Sequence, residues 1–130
     1  MKLLIADDSA MMRERIKNQM KNFDDVTIVG EAGNGKIAME MIRDFTPDLL
    51  ILDLHMPEMG GLEVLKRVKE ARMKMKVCIL TNYAYPQYKT RCLKLGADYF
   101  LNKSEDFEKT NLLIANLLKE DKKQEKFTIS

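Results

Sequence analysis

The stretch Leu49-Leu50-Ile51-Leu52-Asp53 decides the fold. Four successive apolar residues without polar alternation describe a short strand buried on both faces, as in a parallel sheet covered by helices. The strand ends in an aspartate, a residue poorly suited to strand interiors. Upstream, Lys2-Leu3-Leu4-Ile5-Ala6 repeats the pattern and runs into Asp7-Asp8. Downstream, Val77–Leu80 repeats it again and runs into Thr81-Asn82. Val26–Ala32 alternates more, as an edge strand does, and Tyr99–Leu101 is a fifth strand leading to Lys103-Ser104.

Amphipathic segments fill the gaps. Ser9–Phe23 carries Met12, Ile16, Met20 and Phe23 at helical spacing, and Asn34–Phe45 places Ile37, Ala38, Met41, Ile42 and Phe45 on one face. Leu62–Arg72, Pro86–Leu95 (stopped by Gly96) and Asp106–Lys119 are the remaining helices. Five strands alternating with five helices predict a doubly wound α/β fold with a parallel sheet and helices on both faces.

The chain of 130 residues fits one domain. Its 45% apolar and 32% charged residues suit a soluble protein with a sizeable core. No apolar run approaches the ~20 residues that span a bilayer, and Asp7-Asp8 interrupts the N-terminus too early for a secretory signal. A cytoplasmic protein without membrane insertion is expected. The net charge of +2 gives no argument for nucleic acid. Cys78 and Cys92 lie in apolar stretches as reduced core residues, without zinc-site spacing.

In open parallel sheets, ligands bind beyond the carboxyl ends of the strands, where strand order reverses. With the first and third strands adjacent, Asp7, Asp8 and Asp53 share one crevice. Their repulsion favours protonation or a divalent cation, and hard oxygen ligands on loops suit Mg2+. Thr81 and Lys103 then offer a hydrogen bond and a point charge to phosphoryl oxygens, and a carboxylate can be the nucleophile.

Asp7-Asp8, then Asp53-Leu-His-Met-Pro57-Glu-Met-Gly-Gly61, then Thr81, then Gly96-Ala-Asp-Tyr-Phe-Leu-Asn-Lys103 resemble the response-regulator receiver domains of two-component signalling. The likeness covers about residues 2–118, and four motifs in order, each at a strand end, make it specific. It implies a flavodoxin-like sheet of order 2-1-3-4-5 and a phosphorylation-dependent switch that is not itself an enzyme, beyond promoting its own phosphorylation and dephosphorylation. By resemblance Asp53 is the phosphoacceptor. Mg2+ is held by Asp8, Asp53 and the backbone carbonyl of His55, with Asp7 acting mainly through water. Thr81 and Lys103 bind the phosphoryl group, and Phe100 is the aromatic switch residue that turns inward as Thr81 moves. His55 and Tyr83 sit at variable positions beside the site and are candidates for setting the phosphoryl lifetime. The expected partners are a histidine kinase or phosphotransfer protein and a downstream protein, met through the surface of the fourth helix, fifth strand and fifth helix. Residues 1–120 form the receiver unit, and 121–130 a charged C-terminal tail that frays at its end. Ser104 replaces a proline common in the family, and Asn82 a small residue.

Simpler explanations stand beside these. Asp8 or Ser9 also suits a helix cap, Phe100 also suits plain packing, and Pro57 with Gly60-Gly61 makes a turn. Tyr83, Tyr85, Tyr88 and Tyr99 crowd one region, as interface residues or as packing. Gly30-Glu-Ala-Gly-Asn-Gly35-Lys36 matches the opening of a phosphate-binding loop, which makes nucleotide binding the rival function. Ile37 stands where that loop needs a hydroxyl, and an edge strand is the wrong place for it.

Overall fold

A computed structural model describes residues 1–128, with side chains through Lys122. The elements are β1 (Lys2–Ala6), α1 (Ala10–Met20), β2 (Thr27–Ala32), α2 (Gly35–Phe45), β3 (Leu49–Leu52), α3 (Gly61–Glu70), β4 (Lys76–Thr81), α4 (Pro86–Lys94), β5 (Tyr99–Asn102) and α5 (Lys109–Thr128). They form one parallel sheet of order β2-β1-β3-β4-β5, so the strand order reverses between β1 and β3.

Strand alternation divides the core in two. Leu4, Ala6, Leu50, Leu52, Val77 and Ile79 point to one side, with Ala38 and Ile42 of α2, Val64, Leu65 and Val68 of α3 and Cys92 of α4. Leu3, Ile5, Leu49, Ile51, Cys78 and Leu80 point to the other, with Ile16 and Met20 of α1 and Leu113, Ile114 and Leu117 of α5. Both faces of β1, β3 and β4 are therefore dry, which is why these strands lack polar alternation. The helices start where their caps allow. Ser9 Oγ accepts from the Met12 N–H, Asn34 Oδ1 accepts from the Ile37 N–H, and Pro86 opens α4.

Several boundaries differ from the expectation. α1 stops at Met20, because Asn22 and Phe23 turn back through N–H bonds to the Gln19 and Met20 carbonyls; Phe23 still packs on the core. α5 begins at Lys109 rather than Asp106, because the Asp106 carboxylate is engaged by the Asn102 N–H at 2.9 Å and builds a turn. α5 then continues past the expected Lys119 to Thr128, through most of the charged tail. Residues 129–130 of that tail lie outside the described residues. In β2 the register slips, so that Leu3 opposes Ile28 but Leu4 opposes Gly30. A side chain at Gly30 would crowd Met41 and Leu4, so the glycine serves a bulge.

Candidate functional site

The sheet places the polar residues by extending its own ladder one step beyond the strands. The Asp7 N–H donates to the Ala32 carbonyl, the Asp53 N–H to Ala6 and the Lys103 N–H to Thr81, at 2.9, 2.9 and 3.0 Å. Ala6 pairs with Leu52 and Thr81 with Asn102. The residues that follow these strands thus reach the carboxyl edge together, at the reversal between β1 and β3.

Carboxylate oxygens of Asp7, Asp8 and Asp53 lie within 4.8 Å of one another. Asp7 and Asp53 are buried, at 2% and 5% exposed, while Asp8 is open to solvent. Lys103, also buried, lies between the two buried acids, its Nζ 2.7 Å from Asp7 Oδ2 and 2.9 Å from Asp53 Oδ2. The remaining Asp53 oxygen accepts from the Leu54 N–H at 2.8 Å, and Asp7 Oδ1 accepts from the Ser9 N–H at 2.9 Å. The Arg13 guanidinium donates to the Asp7 carbonyl at 2.6 Å.

Burial pushes the Asp7 carboxyl above its ordinary range against the pull of Lys103, and the charge of Asp53 adds a smaller push in the same direction. Desolvation therefore outweighs the carboxylate repulsion stressed in the sequence argument. Burial alone would lower the Lys103 ammonium, but its hydrogen bonds to Asp7 and Asp53 overcome that and raise it. Lys103 stays protonated and offsets part of the negative charge. Three oxygen donors, one of them open to solvent, make a donor set that fits a hard divalent cation.

Thr81 is fully buried at the end of β4, and its Oγ1 accepts from the Tyr83 N–H at 3.0 Å. Phe100 lies opposite Ile79 and packs half-buried on the core beneath α4. The His55 ring stacks on Tyr83 with centroids 3.7 Å apart, and Tyr88 meets His55 edge-on at 6.0 Å. This stack joins the loops that follow β3 and β4. Tyr88 is half-buried against the core, whereas Tyr83 and Tyr85 are exposed, so the tyrosines divide between packing and surface. Ser104 Oγ lies 3.5 Å from Asn82 Oδ1, a contact between the loops that follow β5 and β4.

A charged group beside the acids goes beyond the residues expected from the sequence. Glu31, at the end of β2, binds Arg13 at 3.1 Å and Lys17 at 2.8 Å, and Arg13 also reaches Asp7. The spacing of Arg13 and Lys17, one turn apart on α1, was the available signal. The rival phosphate-binding loop fails on geometry. β2 is an edge strand, Asn34 already caps α2, and a Cβ on Gly35 would lie 2.0 Å from the Met59 carbonyl oxygen. The glycine lets α2 press against the β3–α3 loop, so the N-terminus of α2 is covered by protein.

Known proteins agree with this geometry. Residues 3–115 match the family described as response regulator receiver domain. The transcriptional regulatory protein YdfI of Bacillus subtilis is 39% identical over 107 residues, 82% of this chain and 50% of that protein. The nitrate/nitrite response regulator protein NarL of Escherichia coli K12 is 36% identical over 113 residues, 87% of this chain and 51% of that one. The chain thus spans about half the length of these relatives. A DNA-binding response regulator of the LuxR family from Staphylococcus aureus superposes with a TM-score of 0.82 at 31% identity, covering 88% of this chain and 96% of that structure. On its sequence, strand order and acidic crevice, this chain belongs to the response regulator receiver domain family.

Proposed function

We propose that the chain is a phosphorylation switch in which Asp53 accepts the phosphoryl group. The observation that carries this is the Asp53 carboxylate at the reversal point of the sheet, buried beside the Lys103 ammonium at 2.9 Å and clustered with Asp7 and Asp8. A phosphohistidine of a histidine kinase or phosphotransfer protein is the donor. An Asp53 carboxylate oxygen attacks phosphorus, a P–O bond forms, and the P–N bond breaks with its electron pair leaving on the imidazole. Asp7, Asp8, Asp53 and the His55 carbonyl would hold Mg2+, which supplies charge neutralisation for the carboxylates and the phosphoryl oxygens. Lys103, kept protonated by its acidic neighbours, binds one phosphoryl oxygen.

Thr81 gives up its bond from Tyr83 and donates its hydroxyl proton to another phosphoryl oxygen. Phe100, on the neighbouring strand, then repacks, and the α4–β5–α5 face presents itself to a downstream protein. The His55–Tyr83 stack spans two of the loops around the crevice and sets how readily water reaches the acyl phosphate. Water attacks that phosphate and resets the switch, so the chain promotes chemistry on itself alone. Among the described residues no helix is long and apolar enough to cross a membrane, in keeping with work in the cytoplasm.

The test is acetyl phosphate with magnesium, read by intact mass. The wild-type protein gains one phosphoryl group and Asp53→Asn gains none. Uptake by Asp53→Asn, or none by the wild type, would reject the assignment. ATP without a kinase leaves the mass unchanged.

A further inference from the structure

We infer that Arg13 is a positioning residue for the metal site: it fixes the peptide between Asp7 and Asp8, and so tightens Mg2+ binding although its own charge opposes the ion. The inference rests on the Mg2+ reading above and adds what holds the acids in place. Three successive peptide units carry Asp7 and Asp8 past the edge of the sheet. The first is tied into the ladder, where the Asp7 N–H donates to the Ala32 carbonyl and the Ala6 carbonyl accepts from the Asp53 N–H, both at 2.9 Å. The third is tied by the Ser9 N–H, which donates to Asp7 Oδ1 at 2.9 Å. The middle unit joins Asp7 to Asp8. Among the described residues its partner is Arg13, whose Nη1 donates to the Asp7 carbonyl at 2.6 Å.

A peptide unit is planar, so a short bond to its oxygen fixes how the plane turns and the direction in which the Asp8 Cα leaves it. Asp8 depends on that. Its carboxylate is open to solvent and, among the described residues, neither pairs with a cation nor accepts a hydrogen bond. Its place within 4.8 Å of the Asp7 and Asp53 oxygens is therefore set through its backbone.

Arg13 is itself clamped. Its Nε donates to Glu31 Oε1 at 3.1 Å, and the other Glu31 oxygen accepts from Lys17 at 2.8 Å. Glu31 stands opposite Ile5 in the β1–β2 register, so the clamp is anchored on the strand beside β1. The rigid fork of a guanidinium can serve Glu31 and the Asp7 carbonyl at once. Partly exposed pairs such as Arg13–Glu31, at 20% and 32%, add little to folding. By charge alone Arg13 is misplaced, because a cation beside a divalent-cation site repels the ion. Charge and positioning thus act on Mg2+ affinity with opposite signs, and removing the side chain shows which one wins.

Magnesium titrations followed by the amide NMR signals of Asp8 and Asp53 test this, with urea denaturation in a chelator on the same proteins. Arg13→Ala should bind Mg2+ about tenfold more weakly than the wild type, the scale on which groups behind metal ligands act. Arg13→Lys, which keeps a donor, should recover most of that loss. Should Arg13→Ala not fold, Arg13→Met keeps the aliphatic stem, lacks the donors and should show the same loss. Affinity equal to or tighter than the wild type in the variant without donors overturns the inference. So does Arg13→Lys binding as weakly as that variant. A merely structural role would lower stability in the chelator and leave the Mg2+ affinity of the folded protein unchanged, which also overturns it. A wild type that binds no Mg2+ removes the metal site and this inference with it, whereas Mg2+ binding without phosphoryl uptake removes only the assignment of Asp53 as acceptor.

Discussion

At the scale of single residues, the crevice stores an electrostatic cost. Asp7 is buried, and its carboxyl is held above the ordinary range chiefly by desolvation. The folded protein therefore binds a proton at Asp7 more readily than the unfolded chain. Stability from this residue is fully present below the unfolded value of 3.8 and is lost as pH rises through the raised one. Asp7→Asn should then be more stable than the wild type at pH 7 in a chelator. The gain should vanish by pH 3.8, as urea denaturation across pH would show. Lys103 is the opposite case, because two buried acids depend on it. Lys103→Met should cost about 3 kcal/mol in the chelator. Saturating magnesium should recover more of that stability than it adds to the wild type. The ring stack makes a kinetic prediction. With Tyr83→Ala the His55 ring loses its cover, and the acyl phosphate should decay about fivefold faster, a change worth about 1 kcal/mol in the barrier. An unchanged decay rate would mean that the stack does not screen water.

At the scale of elements, periodicity made most of the architecture legible, and close packing hid the rest. The continuous apolar runs of β1, β3 and β4 could only be strands covered on both faces, and the place of the polar residues at their ends followed from that. The bond of Asp106 to the Asn102 N–H is a tertiary detail, so the start of α5 was misplaced by three residues. The Gly30–Lys36 loop shows the same limit more sharply. Its glycines suggested phosphate because a sequence does not reveal what lies opposite a Cα. Opposite Gly35 lies the Met59 carbonyl, 2.0 Å from where a Cβ would stand, and backbone cannot yield as a side-chain tip does. Gly35→Ala should therefore destabilise the protein by about 3 kcal/mol through displacement of α2 or the β3–α3 loop. Millimolar ATP should leave the wild-type melting temperature unchanged. A tolerated alanine would mean that α2 does not press on that loop.

At the scale of the whole molecule, stability is graded across the sheet, and the gradient points to where the switch acts. β1, β3 and β4 are covered on both faces, whereas every residue of β5 is partly exposed and α4 buries Cys92 alone. Local opening should be cheapest where the fewest apolar groups must be uncovered, at α4 and β5. The two cysteines report on this without added probes, because each is fully buried and reacts only after opening. Burial pushes the Cys78 thiol up to about 12 and Cys92 up to about 11, so neither is reactive while the protein is closed. Cys78 lies in β4 at the centre of one core, and exposing it requires near-global unfolding. Cys92 needs only α4 to lift. At pH 8 a thiol reagent should label Cys92 at least about tenfold faster than Cys78, the ratio given by a difference of about 1.4 kcal/mol in opening free energy. Phosphorylation of Asp53 should change the Cys92 rate and leave Cys78 untouched, since Phe100 and Cys92 share one apolar cluster and Cys78 lies in the other. Equal rates at the two thiols would mean that the domain opens as one unit. In that case phosphorylation could not act on α4 without loosening the whole sheet.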